Sequence, residues 1–250
     1  MRLKLTVWHY IVYCLLLWEA GYVLPASAQT ATRAEEINKL YVEQSGGLEH
    51  IDSVFRALYQ EFTYVRYVNY RQDPLAKPLQ AKVTFYVNKD GRFLNRELEP
   101  ATGRLEERAL SFTATWAKEQ GQVTHVDSSL YFEALWEAFH QKPCLIAPLY
   151  FMPECTAQPL RWGREDTFKG RLVDVLIDAN GAEHWFARDT RLLVKKVTGS
   201  REILWEDYRQ VEGVWLPFKE TEYFNSQPAS VYEYQKIVFC TPWPSSLFQP

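Results

Sequence analysis

A short segment near the middle of the chain holds the residue types of a catalytic triad. His125, Asp127 and Ser128 supply a base, a carboxylate and a hydroxyl, which are the constituents of nucleophilic catalysis. Triads are defined by geometry in the folded protein and not by adjacency in sequence. Asp127, Ser128 and Ser129 are also typical N-cap residues, because their side chains accept hydrogen bonds from the first amides of a helix. We therefore interpret the segment as a turn that starts a helix.

Motifs with a more specific chemical meaning are absent from the sequence. It contains no His-Glu-x-x-His zinc site, no Gly-x-Ser-x-Gly nucleophile elbow, no Cys-x-x-Cys pair and no glycine-rich phosphate loop. Asp174 and Asp178 on one predicted strand, and the pair Lys195-Lys196, are expected on solvated faces. The sequence thus predicts that the protein is not an enzyme, and it predicts no metal and no cofactor.

The first 28 residues have the three parts of a secretory signal peptide. Arg2 and Lys4 precede an apolar run of 14 residues, Leu5–Trp18, and the small residues Ala26 and Ala28 fit an Ala-x-Ala cleavage site. A membrane anchor is the alternative interpretation, but a spanning helix needs about 20 apolar residues. We expect residues 1–28 to be removed and residues 29–250 to form one exported domain.

Composition narrows the class of the mature domain. Removing residues 1–28 takes away two basic residues and one acidic residue, so the formal charge changes from −3 to −4. This mild acidity gives no basis for nucleic-acid binding, which needs a basic surface. The full chain of 250 residues has 14 Phe, 15 Tyr and 9 Trp, and aromatic residues favour pleated, half-buried surfaces.

Helical patterns occur at the start of the mature chain and in its middle. Thr32 and Glu35 have capping-box spacing for a first helix, and Gly47 ends the pattern. A second apolar stripe at helical spacing follows, formed by Leu48, Ile51, Phe55 and Leu58. A third helix is predicted over Leu130–Gln141, apolar over so much of its surface that we expect it to be buried or to cover a cavity.

The remainder of the chain has the period of two that is typical of strands. Residues 79–87 alternate cleanly between apolar and polar, and Leu110, Phe112, Ala114 and Trp116 predict a further strand. Asn180-Gly181 is the strongest hairpin signal of the C-terminal third. That third contains strands predicted over 173–177, 185–187, 192–197, 203–208, 214–224 and 231–239. Short strands at regular spacing indicate an antiparallel sandwich or barrel.

Three cysteines remain in the mature chain. Cys144 and Cys155 bracket a proline-rich turn and are the candidate disulfide of an exported protein, with Cys240 left over. The pairing is not determined by sequence, and three free thiols are the alternative.

Two stretches together resemble a known family. One is Ala34–Ile37 with Gly46–Ile51, and the other runs from Gly170 through Trp185–Leu192 to Tyr208–Pro217, before a terminal Phe248-Gln249-Pro250. The chain looks like the LolA-like proteins of outer-membrane lipoprotein sorting. The resemblance implies a mainly β, α+β fold: a curved antiparallel sheet forming an incomplete half-barrel, with helices covering its concave face.

The resemblance also implies a function. Members of the family hold acyl chains in the half-barrel, which implies a periplasmic carrier or binding protein for an acyl lipid or lipoprotein, acting as a monomer with an envelope membrane protein as partner. The carriers use a lid-contacting arginine near their N-terminal helices, and Arg33, Arg56 and Arg66 are candidates for it here. The chain lacks a lipid-anchoring cysteine, which argues against the role of the pathway's anchored receptor.

Candidate ligand-contacting groups are the apolar residues expected at the cavity or lid. They are Trp116, Leu135, Trp136, Phe139, Tyr150, Phe151 and Met152. Plain core packing is the alternative role for each of them. An envelope sensor or protein-interaction module with the same fold and no lipid cargo is the alternative function, and it would use an exposed sheet edge. Turnover abolished by substituting His125 or His184 would indicate an enzyme instead.

Overall fold

The computed structural model describes residues 26–67, 77–89, 92–110, 115–125 and 160–250. Within these ranges, helices α1 (Ala26–Gln44) and α2 (Leu48–Val54) precede every strand. The predicted helix Leu130–Gln141 and the candidate disulfide of Cys144 with Cys155 lie outside the described residues. Neither α1 nor α2 has the length and apolar composition needed to cross a membrane.

Thirteen strands follow in the described part of the chain. They are β1 (Ala57–Arg66), β2 (Leu79–Asn88), β3 (Phe93–Glu99), β4 (Arg104–Leu110), β5 (Thr115–Glu119), β6 (Gln122–His125), β7 (Arg161–Phe168), β8 (Arg171–Ile177), β9 (Glu183–Ala187), β10 (Leu193–Thr198), β11 (Arg201–Val211), β12 (Val214–Phe224) and β13 (Gln227–Cys240). A 3-10 turn, Ser245–Phe248, comes last.

All these strands form one antiparallel sheet. Its order is β6-β5-β4-β3-β2-β1-β13-β12-β11-β10-β9-β8-β7, so two meanders are joined through the pairing of β1 with β13. Within the described residues, β6 and β7 are the two edges and do not pair with each other. The predicted fold class is confirmed in outline: a mainly β protein built on an open antiparallel sheet.

Three local predictions are corrected by the structure. The alternating run Leu110–Trp116 is not one strand, because Leu110 ends β4 and pairs with Thr115 of β5 across a hairpin. Leu58 belongs to β1 and not to the second helix. Thr32 lies inside α1, which already begins at Ala26.

Both helices pack on the same face of the sheet. Ile51 of α2 is buried with Phe218 of β12. Two residues further along β12, and therefore on the same face, Glu220 accepts a hydrogen bond from Trp205 Nε1 at 2.8 Å. Trp205 is in turn buried with Ala34 of α1. The opposite face carries the C-terminal turn, where Phe248 is fully buried.

Gly213, in the turn between β11 and β12, has a conformation and a neighbour that both favour glycine. Its φ is +82°, and a Cβ there would lie 2.8 Å from Nε2 of His50 in α2. That nitrogen forms a hydrogen bond with the Glu212 carbonyl oxygen at 2.6 Å, and this hydrogen bond connects α2 to the turn. Gly170 has a similar φ of +78° with open space around it.

We expect Gly213→Ala to destabilise the protein more than Gly170→Ala. Both variants incur the backbone strain of a left-handed alanine, about 1 kcal/mol, but only the first displaces His50. The lost hydrogen bond should add about 1 kcal/mol. Urea unfolding of the two variants measures the difference, and equal losses of stability would contradict a role for the His50 contact.

Candidate functional site

The helix-bearing face carries a group of aromatic side chains at the centre of the sheet. Phe62 and Tyr64 of β1 lie beside Tyr232 and Tyr234 of β13, with ring centroids 5.2 Å apart for Phe62–Tyr234, 6.1 Å for Phe62–Tyr232 and 5.8 Å for Tyr64–Tyr232. We name these four residues the aromatic strip. Tyr64 is only 5% exposed. The strip is therefore a continuous apolar surface and not a set of isolated rings.

A β-bulge aligns the aromatic strip. Glu61 pairs with Lys236, but the next residue, Phe62, pairs with Tyr234, so Gln235 is an extra residue in β13. An extra residue reverses which side chains point to a given face. Ile237 and Tyr234 consequently share the helix-bearing face although they are an odd number of residues apart.

The floor of this surface continues onto β2. Ala81 and Val83 are 2% and 4% exposed and pack with Tyr64, Phe62 and Tyr232 in one cluster. Strand alternation places Ala81 and Val83 together on this face, as the sequence pattern of residues 79–87 predicted.

Carboxylates border the aromatic strip. Tyr64 donates a hydrogen bond to Glu97, and Ser230 Oγ donates one to Glu222 at 2.6 Å. Glu220 accepts the bond from Trp205, and burial raises the pKa of Glu220 to about 7 despite that donor. The surface therefore combines apolar area with a few hydrogen-bonding groups, as binding sites for small molecules do.

A network of four charged residues fastens α1 to the edge of the sheet. Arg33 of α1 donates hydrogen bonds to Glu165 at 2.5 Å and to Asp174 at 3.1 Å. Arg188 also binds both carboxylates, and the guanidinium of Arg33 lies 4.5 Å from the ring centroid of Trp162. Hydrogen bonds from Arg188 and then Arg33 lower the pKa of Glu165.

This network corrects one sequence prediction. Asp174 does not lie on a solvated strand face: it is 5% exposed and is held by two arginines. The side chain shares the helix-bearing face with Leu176, which packs under α1. Arg33 is one of the three arginines that the family resemblance singled out, and a second, Arg66, lies over the ring of Tyr64 at 5.2 Å.

The pair Lys195-Lys196 is also less solvated than predicted. Lys195 Nζ lies 2.6 Å from Glu202 and 4.6 Å from the ring centroid of Trp185. Burial lowers the pKa of Lys196. Both side chains thus take part in packing on opposite faces of β10.

Among the predicted ligand-contacting residues, Trp116 is described. It is 3% exposed on the face opposite the helices, packs with Leu94 and Ala109, and donates a hydrogen bond to the Phe248 carbonyl at 2.9 Å. Leu135, Trp136, Phe139, Tyr150, Phe151 and Met152 lie outside the described residues. A ligand contact for these seven residues stays a prediction.

The two histidines named as candidates for chemistry lie on different strands, and Asp127, Ser128 and Ser129 lie outside the described residues. His125 ends β6, while His184 is buried in β9 with Nε2 3.2 Å from Asp178. Burial lowers the pKa of His184, and the hydrogen bond with Asp178 raises it. The effect of burial is larger, so the pKa is about 4. Cys240 is a half-buried free thiol in β13. In the described ranges, no group of three or more His, Cys, Asp or Glu residues is arranged to hold a metal ion.

Comparison with solved structures gives one consistent result. A LolA superfamily protein from Nitrosomonas europaea superposes with a TM-score of 0.52 at 11% identity, over 85% of this chain and 97% of that chain. The chain has the LolA-like fold. An outer membrane lipoprotein-sorting protein domain from Vibrio parahaemolyticus gives a TM-score of 0.52 at 10% identity, over 88% of this chain and 97% of that chain.

A third solved structure is similar to this chain. A DUF1329 family protein from Desulfovibrio piger gives a TM-score of 0.51 at 12% identity, over 86% of this chain and 97% of that chain. No protein-family model matches the sequence, and no curated protein matches it. The resemblance inferred from sequence is thus confirmed as a shared LolA-like fold.

We expect Arg33→Ala to loosen α1 from the sheet. The variant removes two charge-assisted hydrogen bonds, and because Arg33 is partly exposed the loss should be about 1 kcal/mol. Faster amide hydrogen exchange within α1 is the specific readout. Lys39→Ala is the matched control on the same helix, since Lys39 is exposed and has only a 3.8 Å pair with Glu43. Equal exchange in both variants would contradict the fastening role.

We expect Glu220→Gln to remove a pH-dependent loss of stability. The native state of Glu220 holds its proton more tightly than the unfolded state, with a pKa of about 7 against an ordinary 4.5. This carboxyl therefore lowers stability progressively as the pH rises through that window, by about 3 kcal/mol above it. The amide oxygen introduced by the substitution would still accept the bond from Trp205.

Urea unfolding between pH 5 and pH 8 checks this expectation. The stability difference between variant and wild type should grow in favour of the variant as the pH rises. His184, with its pKa lowered to about 4, acts in the opposite direction but is present in both proteins and cancels. If the stability of the two proteins changed in parallel with pH, Glu220 would be shown to ionise in the native state without a loss of stability.

Proposed function

We propose that this protein is a periplasmic carrier or binding protein for acyl chains. The helices cover the concave face of the open sheet, and the acyl chain lies against the aromatic strip. The strip carries the proposal, because it is an apolar surface on the helix-bearing face bordered by hydrogen-bonding groups. Each buried methylene of a ligand would contribute about 0.8 kcal/mol there.

The fold and the sequence support the same assignment. Two neighbours with the LolA-like fold are a LolA superfamily protein and a lipoprotein-sorting domain, and residues 1–28 have the pattern of an export signal. We infer that the cargo is an acyl lipid or a lipoprotein, that a membrane protein of the envelope exchanges it, and that the protein acts as a monomer without a catalytic step.

The edges of the sheet favour a carrier over a strand-adding interaction module. Within the described residues, the edge strand β6 has only four residues, Gln122–His125. The other edge strand, β7, has a bulge near Gly163 and presents Arg164 and Glu165. Short, bulged and charged edges oppose the addition of a partner strand.

We expect delipidated protein to bind the fluorescent fatty acid cis-parinaric acid, and Phe62→Glu to weaken that binding about tenfold or more. A charge on the aromatic strip must be desolvated when the acyl chain binds. Val65→Glu is the matched control, because Val65 is on the same strand but on the opposite face.

Fluorescence titration of wild type and both variants measures the effect. The carrier proposal requires that wild type and Val65→Glu bind alike. A wild-type protein that binds no acyl probe after delipidation would refute it. Equal weakening by both variants would refute the aromatic strip as the binding surface.

A further inference from the structure

A second concave site lies on the face of the sheet opposite the helices. A cavity of about 320 Å3 opens at one end of β7–β11 and has an apolar lining. Val173 forms part of it and alternates along β8 with Asp174 and Leu176, which face α1. The lining shares no residue with the aromatic strip or its cluster, so the two sites are distinct.

Five apolar residues of β7 to β10 and the turn before β10 form much of the lining: Phe168, Val173, Ala187, Leu192 and Val194. Trp205 and Tyr208 of β11, which also contact the cluster under α1, complete it. Phe168, Val173 and Val194 pack in one cluster with Trp185. Since these residues are held by strand pairing and by each other, the cavity is formed before any ligand arrives. A preformed apolar cavity binds ligand without an ordering cost.

The charged residues at the rim are already neutralised. Lys169 pairs with Glu206 at 2.5 Å and Arg171 with Asp189 at 2.6 Å. Asp207, the remaining charged residue of the lining, pairs with Arg209 at 2.6 Å. A charged ligand would have to give up water without gaining an uncompensated partner, so an uncharged ligand is favoured.

The size of the cavity indicates the class of ligand. An engineered apolar cavity of about 150 Å3 holds one benzene molecule, and this cavity is roughly twice that volume. Two fused rings match that space. A long acyl chain would extend beyond it, because the turns that carry Lys169 and Thr190 bound it.

We propose that this cavity is a binding site for a small uncharged ring compound, independent of the acyl-chain surface. Indole is the probe that fits this description. Indole-3-acetate and tryptamine are matched probes with one negative or one positive charge on the same ring system. The site should prefer indole over each charged analogue by about tenfold, because neither charge finds a vacant partner at the rim.

Methyl NMR titration of the full chain tests the proposal. Indole should shift the methyl signals of Val173, Leu192 and Val194 in a saturable manner, and leave those of Leu176 and Leu193 unchanged, since these two pack under α1. Shifts confined to Leu176 and Leu193 would overturn the proposal, as would no saturable shift at all. Tighter binding of either charged analogue would overturn the assignment of an uncharged ligand.

A filling variant completes the test. Thr190→Trp places a large ring at the rim of the cavity and should abolish the indole-induced shifts. Thr198→Trp is the control, because Thr198 is an exposed residue at the end of β10. If Thr190→Trp disturbs the fold, as its own methyl spectrum would show, Val194→Phe fills the floor instead. Retained binding in a folded filling variant would refute the site.

Discussion

An open antiparallel sheet has apolar faces that the sheet itself does not cover, and the described structure follows from how these faces are shielded. Helix α2 covers the part built from β1, β12 and β13, where Ile51 packs with Phe239 and Val214. Helix α1 covers the part built from β8 to β11. The C-terminal turn covers apolar residues on the other face, where it packs against Leu94 and Trp116. The aromatic strip lies further along β1 and β13 than the contacts of α2, and among the described residues its cluster contains no residue of either helix.

Each helix is held by buried apolar contacts and by a charged contact. Helix α2 packs through Ile51, forms a hydrogen bond from His50 to the β11–β12 turn, and pairs Asp52 with Lys89. Helix α1 packs through Ala34, Ile37 and Tyr41 and pairs Arg33 with Glu165 and Asp174. A solvent-exposed ionic contact contributes little stability in water and breaks readily, whereas the buried apolar contact is stronger and more permanent.

Much of the sheet could be predicted from alternation alone, and its failures have physical causes. Residues 79–87 alternate over a full strand, and the strands predicted over 79–87 and 214–224 are both present. The alternation of residues 110–116 spans the end of β4 and the start of β5. An alternating pattern does not by itself show where one strand ends and the next begins. Strand β7 was missed because Arg164, Glu165 and Asp166 are polar, and their partners Glu183 and Arg188 are visible only in the folded sheet. Likewise, the contact of Asp174 with Arg33 could not be predicted, because the two residues are 141 positions apart in sequence. The bulge at Gln235 shifts the apolar side chains of β13 from even to odd positions, and no residue type in the sequence marks it.

The pairing of β1 with β13 has a consequence for how the chain folds. Ala57 lies against Cys240, so the strand that unites the two meanders is made after every other strand of the described sheet. Each meander is built from neighbouring hairpins and can form early, but contacts of such large sequence separation form slowly. During synthesis the N-terminal meander must therefore wait with one side of β1 exposed, an edge prone to aggregation until β13 arrives. A chain of this topology therefore completes its sheet only once β13 has been made and can pair with β1.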